Sequence, residues 1–142
     1  VTPESNIETR YGSYLADRGA VVAVADGLPG FERCRRFVVI TAPTLHPFNC
    51  LQGLDDSKPS FLTLDPHNVV EGYANDLTAA DRERLDVAPG DALLWLALVR
   101  LDGDQALVNL RAPVVINARR MIGVQLITPD SPYSTEHVLP LD

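Results

Sequence analysis

The side chains best suited to chemistry in this chain are its carboxylates, histidines, serines and thiols, and their spacing argues against catalysis. Asp55-Asp56 is the densest acidic pair in a loop, and Asp102 and Asp104 flank a glycine. Two carboxylates can divide acid and base roles when burial drives their pKa values apart. Both pairs here lie among turn residues, where aspartate hydrogen-bonds nearby backbone. Residues 102–104 fit a tight hairpin turn. The loop holding Asp55 and Asp56 is longer than a minimal turn, which leaves room for a contact with a partner. The three histidines, His46, His67 and His137, sit beside prolines or at segment ends and lack a ligand spacing, so no metal site is expected. Ser57, Ser60, Ser131 and Ser134 fall outside any G-x-S-x-G elbow. No phosphate-cradling glycine loop occurs, so no cofactor is expected.

Residues 107–117 carry polar groups where a plain strand would not need them. Val108, Leu110, Val114 and Ile116 can line buried faces, but the amides of Asn109 and Asn117 cannot be buried cheaply without hydrogen-bond partners. Two readings stay open: each asparagine clamps neighbouring backbone, or each serves a surface contact. Pro113 cannot donate to a ladder and marks an edge, a bulge or a bend. Trp95 and Phe61 suit a core. Tyr73 and Tyr133 fit a core or an interface, since amphipathic aromatics are favoured in both. The candidate partner-binding residues are therefore Asp55, Asp56, Tyr73, Asn109, Asn117 and Tyr133.

Positioning these residues falls to a series of short β runs. Strands are predicted over 7–14 (with Gly12 as a kink), 21–25, 37–41, 48–52, 61–64, 92–101, 105–110, 114–117 and 121–128, separated by turn signals. One helix is predicted over 79–85, with Thr78 as N-cap, Asp81 three residues on, and Pro89-Gly90 as its stop. A shorter helical turn is expected over 66–73, after the extended residue Asp65. The fold class is mainly β: a single domain over 1–142, as an antiparallel β-barrel-like fold or strongly curled sandwich, with one or two short helices.

Composition narrows the partner class. The chain has 142 residues, 46% hydrophobic and 22% charged, and a net charge of -7. That balance disfavours direct nucleic-acid binding, which draws much of its affinity from phosphate neutralisation. It favours a basic protein partner. Arg33, Arg35 and Arg36 form one small basic cluster in a loop. Cys34 and Cys50 form no C-x-x-C pair and do not describe a disulfide scaffold. No basic-then-apolar leader and no bilayer-length apolar run is seen, so the cytoplasm is the expected compartment.

The order of short motifs resembles the flagellar assembly factor FliW family. Gly27-Leu28-Pro29-Gly30-Phe31-Glu32 is similar to that family's glycine-proline-glycine corner. Pro47-Phe48, Leu51-Gln52 and the strand ending at Asp65-Pro66 resemble its next segment. Asn109-Leu110, Ala112-Pro113 and Ile116-Asn117 resemble its most recognisable stretch, and Gln125, Tyr133 and His137 its C-terminal end. Val24-Ala25-Asp26 stands where an aromatic is common, and Gly53 where serine is. The resemblance implies a non-enzymatic, chaperone-like regulator that binds flagellin and antagonises CsrA, a basic RNA-binding homodimer, so that flagellin level is coupled to flagellin translation. Residue patterns alone leave a second class open, a β-barrel holding a small ligand in its interior.

Overall fold

The computed structural model describes residues 4–17 and 19–141. In chain order the strands are β1 (Glu4–Thr9), β2 (Gly12–Asp17), β3 (Val22–Ala23), β4 (Arg36–Ile40), β5 (Asn49–Gly53), β6 (Ser60–Leu64), β7 (Leu93–Asp102), β8 (Gln105–Val108), β9 (Val114–Asn117), β10 (Ile122–Gln125) and β11 (His137–Pro140). Two short helices, α1 (Pro66–Val69) and α2 (Ala79–Arg84), lie between β6 and β7. β1 and β2 form a separate hairpin. The other strands make a nine-stranded sheet in the order β11-β8-β7-β6-β5-β4-β3-β10-β9, and a further pairing of β7 with β9 closes part of it into a barrel. The closure depends on the length of β7. Its first half, Leu93 to Leu96, pairs with β9, and its last residues, Val99 to Asp102, pair with β8.

Alternation along each strand separates the interior from the outer face. Val22, Phe37, Leu51, Leu96, Val114 and Ile116 meet in one cluster that fills the barrel. Their neighbours point outward, yet they are buried too. Val38, Ile40, Cys50 and Leu62 are covered by Ile7 and Ala16 of the hairpin. Leu64, Ala97 and Val108 are covered by the segment carrying Tyr73. Val115, Val124 and Leu126 are covered by Leu85 at the end of α2. Burial on both faces is why residues 37–40 of β4 read as an unbroken apolar run rather than an alternating one.

Local rules account for the helices. Thr78 caps α2 by accepting from the Asp81 N–H at 3.1 Å, and Asp81 returns a bond to the Thr78 N–H at 3.3 Å. No residue within α2 is buried, so the helix is held through Leu77 before it and Leu85 after it. Asp65 caps α1 through the His67 N–H at 2.9 Å.

Some expectations change. The strand foreseen over 7–14 is two strands joined by a turn at Arg10-Tyr11. Thr9 fixes that turn: its hydroxyl donates to the Gly12 carbonyl and accepts from the Tyr11 N–H. Gly12, at φ +134°, begins the returning strand. The run over 121–128 keeps strand geometry only from Ile122 to Gln125, and the structure adds β11, which is absent from the predicted strands. The sheet is not wholly antiparallel either, since β3 and β10 pair in parallel.

Candidate protein-binding surface

Asn117 ends β9 and is fully buried. Its Nδ2 donates to the carbonyl of Leu85 at 2.9 Å and lies near the Asp86 carbonyl (3.4 Å) and Asp91 Oδ2 (3.1 Å). Its Oδ1 accepts the Arg119 N–H at 3.1 Å. Both ends of the amide are thus engaged, and the side chain joins β9 to the end of α2. Asp91 completes the latch. It accepts from Arg119 Nε at 2.7 Å and Nη2 at 3.1 Å, and from the Ala88 N–H at 2.8 Å. The Arg119 guanidinium, then the Ala88 N–H and Asn117, hold the Asp91 carboxyl well below the usual carboxylate range. The Arg119 pKa is raised in return. Of the two readings for Asn117, the geometry selects the clamp. The surface role is corrected because nothing of this side chain reaches solvent.

Asn109, Tyr73 and Tyr133 converge on a second knot. Asn109 Oδ1 accepts the N–H groups of Arg111 and Ala112, each at 3.1 Å, and so bends the chain between β8 and β9. Arg111 Nε donates to the Tyr133 carbonyl at 2.9 Å. The Tyr133 hydroxyl accepts the Ala74 N–H at 2.8 Å, and the Tyr73 hydroxyl donates to the Leu110 carbonyl at 2.6 Å. The two tyrosine rings lie 4.6 Å apart. Tyr73 also stands edge-on to Trp95 and His67. Tyr73 is a core residue, and its place among candidate contacts is corrected: its ring and hydroxyl are spent inside the fold. Tyr133 and Asn109 remain half-buried.

The acidic pair divides. Asp55 accepts from the N–H groups of Arg35 (3.2 Å) and Arg36 (3.1 Å), and from Arg36 Nε (2.8 Å) and Nη2 (2.6 Å). This clasp lowers the Asp55 pKa, chiefly through the Arg36 side chain, and raises that of Arg36. Asp55 therefore holds its loop against β4. Asp56 is exposed, in left-handed backbone at φ +52°. Buried Gln52 braces the same loop from beneath: its Nε2 donates to the carbonyls of Gly53 and Lys58, and its Oε1 accepts from Ser60.

The 27–32 corner also has a physical reason. Gly27 has φ +62°, and a Cβ there would come within 2.7 Å of Glu32 Cα and the Phe31 carbonyl. The Gly30 N–H donates to Glu32 Oε2 at 2.9 Å, and this bond lowers the Glu32 pKa. Among the described residues, no group of three or more histidines, cysteines or acidic residues is placed to hold a metal, and no helix is long and apolar enough to cross a membrane. The barrel interior holds the packed side chains of Val22, Phe37, Leu51, Leu96, Val114 and Ile116. In the sequence nothing marks the Asp91–Arg119 pair except that Asp91 follows Pro89-Gly90.

Comparisons with known proteins bear on the family and the fold. A family model described as FliW protein matches residues 6–139. The flagellar assembly factor FliW of Geobacter sulfurreducens is 33% identical over 131 residues, covering 91% of this chain and 82% of that protein. The Moorella thermoacetica protein of the same name is 34% identical over 134 residues, covering 92% and 85%. A crystal structure of the flagellar assembly factor FliW superposes with a TM-score of 0.83 at 26% identity, covering 94% of this chain and 95% of that one.

Proposed function

The chain belongs to the FliW family, and from that premise we propose that it serves flagellar assembly by binding flagellin and antagonising CsrA, so that flagellin level sets flagellin translation. It works in the cytoplasm, by recognition and without catalysis. The observation that carries this reading is the family match over residues 6–139, with the relatives' own name. A net charge of -7 supports a basic partner such as CsrA, which an acidic surface would steer into encounter. Asp55, from the acidic pair weighed for acid and base roles, is instead committed to holding backbone, as Asn117 and Asn109 are. Surface charge and shape are the means of action this reading assigns.

The test is a titration of the purified chain against purified CsrA and flagellin, with release of CsrA from a flagellin transcript as the readout. Saturable binding to both proteins, and displacement of CsrA by added flagellin, are expected. Failure to bind either protein would overturn the reading.

A further inference from the structure

β6 and β7 run side by side only briefly. Their ladder joins Leu62 to Val99, Thr63 to Leu98 and Leu64 to Ala97, and there it stops. The next rungs of that register, Phe61 opposite Arg100 and Ser60 opposite Leu101, are not made. β7 departs with β8, pairing Arg100 with Leu107 and Leu101 with Ala106, while Ser60 and Phe61 stay on β5. The fork opens into a groove of about 700 Å³ that both diverging strand ends line. The turn of the β1–β2 hairpin forms another wall, where the Arg10 N–H donates to Ser60 Oγ at 3.0 Å.

Diverging strands leave backbone groups facing a gap, and an added strand is one way to satisfy them. The walls specify what such a strand would carry. Phe61 packs edge-to-face against Phe31, with ring centroids 5.3 Å apart, and Leu101 is 46% exposed, so an apolar side chain has a floor. Arg10, Lys58 and Arg100 surround that floor and are all exposed. Arg10 and Lys58 form no side-chain ion pair with the described residues, and Arg100 reaches Glu136 at 3.5 Å. The acidic residue of the lining, Glu8, already accepts from Ser13 Oγ at 2.6 Å across the hairpin. In a chain of net charge -7, this is a local cationic mouth, and it complements negative charge.

We propose that the fork between β6 and β7 is a docking groove for an extended, acidic peptide segment with apolar residues at alternate positions. Strand pairing would give register, Phe31, Phe61 and Leu101 would take the apolar side chains, and Arg10, Lys58 and Arg100 the carboxylates. The proposal does not rest on the flagellin and CsrA reading, and its test uses neither protein.

The probe is a fluorescein-labelled heptapeptide, Ser-Glu-Phe-Glu-Leu-Glu-Ser, titrated with the full chain and followed by anisotropy. Its twin carries lysine in place of each glutamate, and a third version carries alternate backbone N-methyl groups. Saturable binding of the acidic peptide is expected, with none of the basic twin and weaker binding of the methylated one. The double variant R10E/R100E, altered at exposed positions, should keep its melting temperature and lose roughly tenfold in affinity. No binding of the acidic peptide, equal binding of the basic twin, or undiminished binding by the folded double variant would overturn the proposal. Equal binding of the methylated peptide would overturn the strand-pairing mode.

Discussion

The side-chain amide of Asn117 lies 2.9 Å from the carbonyl oxygen of Leu85, so the last residue of β9 is bonded to the C-cap of α2. A covering helix with no buried residue of its own is thereby fastened to the barrel wall.

Asn117→Ala removes that fastening and leaves the carbonyl of buried Leu85 without this donor, while the Asp86 carbonyl keeps Arg119 Nη2. A loss of roughly 1–3 kcal/mol is expected in urea melts. Asn117→Asp should be worse than alanine, because it sets a carboxylate beside Asp91, now 3.1 Å from the amide. Equal stability of all three proteins would show that the bond contributes nothing.

Asp91 ties the latch to pH. Its folded-state pKa lies below the ordinary 3.8, so the stability it contributes is fully present above that value and is lost as pH falls through the folded-state value. Asp55 has the same sign. Thermal melts between neutral pH and about pH 3 should show Asp91→Asn less stable than wild type at the upper end, with the gap narrowing below 3.8. A constant gap would remove Asp91 from the acid response.

The two loop aspartates should behave differently. Asp55→Asn weakens a clasp on Arg36 and should lower the melting temperature. Asp56→Asn keeps a residue that tolerates φ +52° and should leave it unchanged. If Asp56 meets CsrA, its neutral variant should slow association by roughly two- to fivefold at low salt, and less at high salt. An unaltered association rate at low salt would make Asp56 a solvated turn residue.

Cys34 and Cys50 are both buried, and burial pushes the Cys50 thiol up to about 11. Neither should react with a disulfide reagent until the chain opens, because both sulfurs are shut away from solvent, and for Cys50 the nucleophilic thiolate is also disfavoured. The labelling rate of the native protein should therefore follow unfolding as denaturant is raised. Rapid labelling of the native state would contradict this.

The fold was legible where a local rule and the global arrangement agree. Thr78 and Asp81 form the reciprocal cap that their spacing suggests. Asp102 pairs with Gln105 around Gly103-Asp104, as a two-residue hairpin turn requires. β11 is hard to read in the sequence because it is four residues long, ends in Pro140 and lies at the edge of the sheet, with Val138 50% exposed. The site was harder. Asn117 could be recognised as a polar residue needing partners, but Leu85 and Asp91 lie far away in sequence and meet it only through the closure of β9 on β7. Tyr73 shows the limit of side-chain type as a guide: the same amphipathic ring suits an interface, and here its hydroxyl finds Leu110 instead.

Closure has a further consequence, set at the rung between Ala23 and Ile122. β3 and β10 meet there at one parallel pair, with the Ala23 N–H 2.9 Å from the Met121 carbonyl, whereas β9 and β10 share pairs from Asn117 to Val114. The staves of this barrel are unequally joined, and transient opening concentrates at the narrowest joint. Amide exchange at Ala23 then proceeds faster than at Val115 or Leu96. A barrel joined this way is expected to open along this line before its packed walls part.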